Sequence, residues 1–328
     1  MSAERSVRFY ELGGPDVLRL EAQPERQPGP GEVRFRVQAI GLNRAEALFR
    51  RGEYTQKPQL PSRIGYDAVG TIDAVGPDVT DVRVGDRVGW IMQPGSYATH
   101  AVVPADRLVP LPAGTDAHVA AAVLMQGLTA HALGTTVHPI ARGETVLIHG
   151  VAGGLGGILC EIAHLRGARV IGTVTRTDKS QAARAIGADE VIVRSEQDFA
   201  AEAKRLTGGV GVDVVYDGMG HETFEHGFGA LRPMGMMVLF GQASGAVPHL
   251  ETHVLQQGGG RYLTRAMVGN HIAARSELLA RAAELFGWIA RGDVHVRVER
   301  TYPLADARRA HEDLGSRKTA GKLLLEIA

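Results

Sequence analysis

The 328-residue chain is about twice the length of an ordinary domain, which predicts two domains. Its 44% hydrophobic and 22% charged residues exclude a disordered polypeptide. Its 36 basic residues balance 36 acidic ones, which argues against nucleic acid or an anionic membrane as the main partner. A single cysteine, Cys160, excludes a disulfide framework and any multi-cysteine metal centre. The first residues lack the apolar run of a signal peptide, and the most apolar stretch, Val119 to Leu133, is broken by Gln126, Thr129 and His131 and falls short of a membrane span. The expectation is a soluble, cytoplasmic protein.

Eleven of the fifteen prolines lie at or before Pro112, so the first third reads as short strands and turns. Glu32 to Gln38 alternates polar and apolar residues, and Gly70 to Gly76 is a strand bounded by glycines. A barrel-like β domain fits this pattern. After about Val119 the rhythm becomes strand, glycine turn, helix. Thr145 to His149, Arg169 to Val174 and Glu190 to Val193 are short apolar strands, with helices through Ile158, Ile162 and Leu165 and from Lys179 to Ile186. Asp213 to Asp217 and Met236 to Phe240 continue the series, which predicts a doubly wound parallel sheet. The last stretch has helical periodicity over Ser276 to Arg291, then a strand near Val294 to Arg300, a short helix from Ala305 and a terminal strand from Lys322.

The turn after Thr145–His149 is rich in glycine, which makes up 42 residues of the chain. Gly153 and Gly156 fill the second and third places of a G-x-G-x-x-G dinucleotide fingerprint, while Val151 stands where the first glycine belongs. Gly153 would let the backbone approach a pyrophosphate, Gly156 would let the helix pack on its strand, and the helix start at Gly154 and Leu155 would offer free N–H groups to the phosphates. About 20 residues on, where an NAD enzyme has an acidic residue, the sequence is Thr175-Arg176-Thr177-Asp178-Lys179. Arg176 and Lys179 would attract a 2′-phosphate that a carboxylate would repel, which favours NADPH over NADH. Asp178 counts against this unless it complements the dipole of the next helix.

Other chemistries find little support. His221 and His226 are one residue too far apart for H-E-x-x-H, and His249 and His253 lack a third ligand, so no metal is expected. Ser244 lies one place late for a nucleophile elbow. Cys160 lies inside the helix after the glycine turn and reads as core packing.

Five segments together carry a resemblance. They are Gly41 to Tyr54, Gly65 to Gly76 with Val84 to Val88, the glycine turn, Phe240-Gly241-Gln242-Ala243-Ser244-Gly245, and Ala310 to Lys322. In this order they resemble the quinone oxidoreductase (zeta-crystallin-like) branch of the medium-chain dehydrogenase/reductase superfamily, from about residue 7 to the end. The resemblance implies an α/β protein with a GroES-like, β-rich catalytic domain (residues 1–123 and 271–328) and a doubly wound Rossmann NADP-binding domain (residues 124–270). It also implies a cleft between them and a homodimer. Zinc alcohol dehydrogenases of the superfamily carry a cysteine near position 43 and His-Glu near position 66; this chain has Asn43 and Tyr66-Asp67, so the resemblance implies a zinc-independent branch. Asn43, Tyr54 and Thr129 match positions that look onto nicotinamide and substrate. Lys179 matches a lysine on the 2′-phosphate, Arg317 an arginine closing on the same phosphate with Lys322 in the same tail, and Arg265 an arginine near the cofactor. Phe240 and Gly241 lie in a matching cofactor segment. Two departures stand out: Leu48 replaces a common aromatic, and Arg194 stands where a tyrosine is expected near the 2′-phosphate.

Without zinc, an alcohol is a poor substrate, whereas a quinone or an alkene conjugated to a carbonyl takes hydride readily because charge delocalises onto oxygen. Tyr54 is the expected hydrogen-bond donor to that oxygen and Asn43 its orienting partner; Asn43 equally fits a helix cap before Arg44. The sequence thus predicts an NADPH-dependent quinone reductase. Reduction of enones, 2-alkenals or enoyl thioesters is the near alternative, and an NADPH-binding crystallin-like or RNA-binding protein the alternative from a different class.

Overall fold

Alternation and glycine spacing become strands throughout the computed structural model, which describes residues 4–247, 249–316 and 318–327. The first third holds β1 (Arg5–Phe9), β2 (Arg19–Ala22), β3 (Glu32–Gly41), β4 (Ser62–Arg63), β5 (Asp67–Val75), β6 (Arg87–Ile91), β7 (His100–Pro104) and β8 (Leu108–Pro110). The middle holds β9 (Thr145–His149), β10 (Arg169–Val174), β11 (Glu190–Val193), β12 (Val212–Asp217), β13 (Leu231–Leu239) and β14 (Tyr262–Arg265). The chain closes with β15 (Val298–Pro303) and β16 (Lys322–Glu326). The helices used below are α1 (Arg44–Arg50), α2 (Ala117–Ala132), α3 (Gly154–Leu165) and α4 (Ser180–Ala185). Two compact units result. The first comprises Met1–Met125, Ile272–Phe286 and Val296–Ala328; the second comprises Gln126–His271 and Gly287–His295.

In the first unit, a seven-stranded sheet runs β15-β16-β3-β5-β6-β8, with β7 also paired to β3, and a three-stranded sheet runs β2-β1-β4. Val33, Phe35 and Val37 of β3 point into the core while Arg34 and Arg36 point away, as the alternation predicts. The strand continues past Gln38 to Gly41 because Ala39, Ile40 and Gly41 pair with the terminal strand, Glu326, Leu325 and Leu324 in turn. Trp90 is fully buried and meets Phe35 edge to face at 4.8 Å between ring centroids. β15 begins four residues later than the periodicity suggests, where its parallel pairing with β16 starts at Val298↔Lys322.

In the second unit, all six strands are parallel in the order β11-β10-β9-β12-β13-β14. This is the doubly wound arrangement, whose chain reversal lies between β9 and β12. The predicted strands at Thr145, Arg169 and Glu190 have the bounds read from sequence. β13 starts earlier, at Leu231, because that side chain is itself fully buried against the sheet. Cys160 is buried in α3, and burial with the charges of Glu161 and Asp189 pushes its thiol up to about 12, so it stays protonated.

Close strand crossing makes one glycine test the first unit. A Cβ on Gly70 would lie 2.0 Å from the carbonyl oxygen of Arg36 on the paired strand. Gly70→Ala is therefore expected to destabilise this unit by about 3 kcal/mol, read as a lower unfolding midpoint with the second unit's transition unchanged.

Candidate active-site residues

The glycine turn of the second unit works with a shift of one place. Gly150 takes the left-handed conformation (φ +69°) that the tight turn needs, directly before Val151. Val151 turns inward and is fully buried over Gly172 of β10, where a Cβ would come within 2.5 Å of its Cγ1. Gly153 caps α3 in extended conformation. A Cβ on Gly156 would stand 2.5 Å from the Gly150 carbonyl oxygen, so only glycine lets the helix start lie against the turn. Gly153, Gly154 and Leu155 are partly exposed, and the N–H groups of this first turn have no acceptor within the helix.

The ends of β10 and β11 bring together the cations expected around a 2′-phosphate. Val174 pairs with Val193, so Thr175 and Arg194 leave the sheet side by side, and Arg194 Nη2 donates to Thr175 Oγ1 at 3.3 Å. Arg194 also faces Glu222 at 3.7 Å. Arg176 is exposed and pairs with Asp178 at 2.7 Å, so Asp178 offsets an arginine in addition to standing at a helix start. Lys179 is the residue before α4 and is partly exposed. Thr129 is a partly exposed residue of α2. Phe240 and Gly241 follow β13, their N–H groups donating to the Asp217 carbonyl, and a Cβ on Gly241 would meet the Gly218 carbonyl at 2.4 Å. Arg265, exposed at the end of β14, donates to Gln242 Oε1 at 2.9 Å. Arg317 lies outside the described residues.

Two buried polar groups here escape sequence reasoning. Asp217 is fully buried and accepts from the N–H groups of Met219 and Gly220 and from the Thr223 hydroxyl, which fixes the turn after β12. His149 ends β9, with Nδ1 2.8 Å from Thr173 Oγ1 and its ring edge-on to Phe199. Burial, with the charge of Arg194, drives its pKa down to about 3, so it is neutral.

In the first unit Asn43 takes the helix-cap position. It caps α1, and Glu46 three residues on accepts its backbone N–H at 2.9 Å. Its side-chain nitrogen lies 2.9 Å from Glu46 Oε1 and 2.5 Å from Asp67 Oδ1. Its oxygen accepts from Lys322 Nζ at 3.0 Å, and the same ammonium donates to the Leu42 carbonyl at 2.7 Å. Asn43 is 5% exposed, so its carboxamide is a held group. Lys322 was expected at the phosphate; instead it is 3% exposed inside this unit, because β16 lies beside β3 and brings it onto Asn43. That position takes Lys322 out of the phosphate-binding set.

A chain of buried groups extends from this centre. Arg50 Nη1 lies 3.0 Å from His311 Nδ1, His311 Nε2 lies 3.0 Å from the Tyr97 hydroxyl, and that hydroxyl donates to Glu46 Oε2 at 2.7 Å. Because arginine only donates, His311 accepts at Nδ1 and carries its proton on Nε2. Burial and Arg50 push the His311 pKa down to about 3, consistent with that neutral tautomer. Burial raises Glu46 to about 7, helped by the charge of Asp67, and raises Asp67 to about 6. Glu46 Oε1 accepts from the Asn43 carboxamide and Oε2 from the Asn43 N–H and the Tyr97 hydroxyl, whereas Asp67 Oδ2 is buried without a partner. Both carboxyls being raised, the pair shares a proton below neutral pH, which leaves one carboxylate facing the Lys322 ammonium.

Tyr54 follows α1 and packs, half-buried, against the first unit's core. Among the described residues its hydroxyl has no hydrogen-bond partner. Tyr66 sits nearby, edge to face with Phe49, and burial together with Glu46 and Tyr54 pushes its phenol up to about 12. Among the described residues no three His, Cys, Asp or Glu side chains converge as a metal site. The positions compared with zinc ligands hold Asn43, Tyr66 and Asp67 beside a buried ammonium, a donor set that does not fit a second cation.

Comparison with known proteins follows the same lines. Residues 29–113 match the alcohol dehydrogenase GroES-like domain, and residues 154–284 match the zinc-binding dehydrogenase family. The chain is 40% identical to a quinone oxidoreductase of Pseudomonas aeruginosa, over 98% of this chain and 99% of that protein. It is 37% identical to a 2-haloacrylate reductase of Burkholderia sp, over 97% of each. The crystal structure of Escherichia coli quinone oxidoreductase complexed with NADPH superposes with a TM-score of 0.95 at 38% identity, covering 98% of this chain and 99% of that one.

The buried carboxyl pair generates a pH prediction. A carboxyl whose folded pKa is raised stabilises the fold fully below its unfolded value and loses that contribution as pH rises through the folded one. For Asp67 the window runs from 3.8 to about 6. Asp67→Asn should gain melting temperature relative to the parent across that window as pH rises; a constant difference at all pH values would contradict the shared proton.

Proposed function

We propose, since the chain belongs to the quinone oxidoreductase branch of the medium-chain dehydrogenase/reductase superfamily, that it is an NADPH-dependent reductase that passes hydride to a quinone without zinc. The observation that carries the cofactor reading is the edge formed by β9, β10 and β11. There a turn that admits only glycine at 156 lies next to Thr175, Arg176, Lys179 and Arg194, where an NADH site needs a carboxylate. In this reading the backbone of Gly153, Gly154, Leu155 and Gly156 holds the pyrophosphate. Arg176, Lys179 and Arg194 hold the 2′-phosphate, and Thr129, Phe240, Gly241 and Arg265 line the rest of the cofactor. NADPH, when bound, supplies the hydride.

The remaining work falls to the first unit's own side chains. A quinone oxygen gains negative charge as hydride arrives, and a prepositioned donor lowers that barrier. Tyr54 presents an uncommitted hydroxyl and donates to that oxygen. Asn43 acts as a positioning residue: clamped by Glu46, Asp67 and Lys322, it fixes the start of α1, which leads into the Tyr54 segment. The proton finally retained by the product comes from Tyr54 and is replaced from solvent. A quinone needs no metal to accept hydride, and the donors around Asn43 suit none. A cytoplasmic homodimer completes this reading. Reduction of an activated alkene by the same groups is the second reading, favoured by the similarity to 2-haloacrylate reductase.

The test follows NADPH oxidation with para-benzoquinone, phenanthrenequinone, cyclohexenone and crotonyl-CoA, each repeated with NADH and with a chelator. Quinone turnover that prefers NADPH and ignores the chelator supports the reading; turnover with the alkenes alone moves the function to the second. Tyr54→Phe should lower kcat about a hundredfold with NADPH affinity retained. Lys179→Gln should weaken NADPH about tenfold and leave NADH unchanged, measured by fluorescence titration.

A further inference from the structure

Strand register in the small sheet places arginines where opposite charges would stabilise pairing. Arg8 of β1 stands opposite Arg19 of β2 on one side and Arg63 of β4 on the other. Val7 and Phe9, its neighbours, are buried in the core, so the arginine row lies on the opposite face of the sheet. Like charges directly opposed across strands are destabilising. Of the acidic groups nearby, Glu25 and Asp73 pair with Arg34, while Glu21 accepts from the Tyr10 hydroxyl and Glu4 from Gln23, with His100 3.9 Å from Glu4. Arg19 lies over the Tyr10 ring at 5.9 Å. Among the described residues no hydrogen bond or ion pair reaches the side chains of Arg8, Arg26 or Arg63, and Arg8 Nε is buried without a partner.

Arg63 lines a water-sized cavity of about 10 Å³ with Arg26, Arg34, His100, Gln23 and Glu4. Burial, and then the charges of Arg26 and Arg8, pull its guanidinium pKa down, so three cations act on one another here with Glu4 as the acidic residue of the cavity lining. We propose that Arg8, Arg26 and Arg63 form a binding site for a small oxyanion of the phosphate class, which their planar forks suit.

The site has a consequence for the segment that carries Tyr54. β4 contains only two residues, and its pairs with β1 are Phe9↔Ser62 and Arg8↔Arg63. This short strand anchors the downstream end of the loop from Arg51 to Pro61. An oxyanion turns the repulsive pair into a bridged one and ties that end down. The effect on turnover rests on the role proposed for Tyr54; binding itself does not.

The full-length protein, saturated with NADPH so that cofactor phosphate contacts are filled, would be titrated with inorganic phosphate by calorimetry. Melting would be compared in phosphate and in sodium chloride at matched ionic strength. The expected result is saturable binding, a higher melting temperature in phosphate than in chloride, and slower amide exchange in the peptide spanning 52–64. Arg63→Gln should weaken phosphate about tenfold. Because it also removes the repulsion, it should melt above the parent in phosphate-free buffer, a gain that loss of a merely structural residue would not give. Arg8→Gln provides the same pair of readouts if Arg63→Gln does not fold. Equal responses to phosphate and chloride, or undiminished binding in both variants, would overturn the site. Parallel titrations with glycerol phosphate and with phosphatidylglycerol vesicles separate a free phosphate ester from a lipid headgroup; binding to vesicles alone overturns a small-anion site. Phosphate binding with unchanged loop exchange and quinone KM overturns the link to Tyr54 and supports the site. Absence of quinone reduction bears on the activity alone.

Discussion

A lysine ammonium with almost no access to water lies at the centre of the first unit, and much of that unit is arranged around it. Lys322 donates to the Leu42 carbonyl and the Asn43 side chain and brings one positive charge to the buried carboxyls of Asp67 and Glu46. Removing one partner from such a buried charge cluster costs about 3–5 kcal/mol, because the others are left uncompensated. The cluster sets the angle at which α1 leaves β3, and through α1 the placement of Tyr54. It continues through Tyr97, His311 and Arg50 to the carbonyl of Gly13, so the helix Ala307–Ser316 is tied to the same centre. Close backbone approach is part of the arrangement: a Cβ on Gly41 would fall 2.2 Å from Asp67 Oδ2.

The second unit solves a different problem by leaving side chains out. Gly150, Gly156, Gly172 and Gly241 each stand where a methyl group would meet backbone or a buried neighbour, or where the backbone turns left-handed. Polar and charged groups are then concentrated at the carboxyl ends of β9, β10 and β11, where a parallel sheet presents its loops. His149 and Asp217, both buried at strand ends, make that edge rigid from beneath.

Period-two alternation and short apolar runs made most strands readable in the sequence, and glycine with a following helix marked the dinucleotide turn. Local pattern reaches no further than local geometry. It places a glycine at 153 and at 156, yet Gly150 does the left-handed turning, because the motif counts positions and the backbone is free to share the task with a neighbour. Asn43 shows two compatible local meanings, and only the pairing of β3 with β16 shows that it is both a cap and a clamped amide. Lys322 is the clearest case. From sequence it belongs to a basic tail next to Arg317; in the fold, register with β3 turns it inward. Such pairings join residues far apart in the chain, and nothing in the spacing of either segment announces them. The arginine row of the small sheet is invisible for the same reason, since Arg8, Arg19 and Arg63 look like three ordinary surface residues until strand register aligns them.

The separation of 280 positions between Leu42 and Lys322 also sets an order of events during synthesis. The six parallel strands of the second unit emerge in one continuous stretch and can pair while the rest is still being made. Glu46 and Asp67 appear early and wait for their cation until nearly all of this sequence is out. Until then the first unit holds two carboxyls that cannot be buried as a charged pair, and its sheet lacks the strand beside β3. Domains made from one stretch of chain fold as they emerge, whereas those closed by a distant strand carry a high entropic cost of closure and a long exposure of their edges. A chain stopped before the last strand therefore has all six strands of the second unit, while in the first unit β3 lacks β16 and the two carboxyls lack their ammonium.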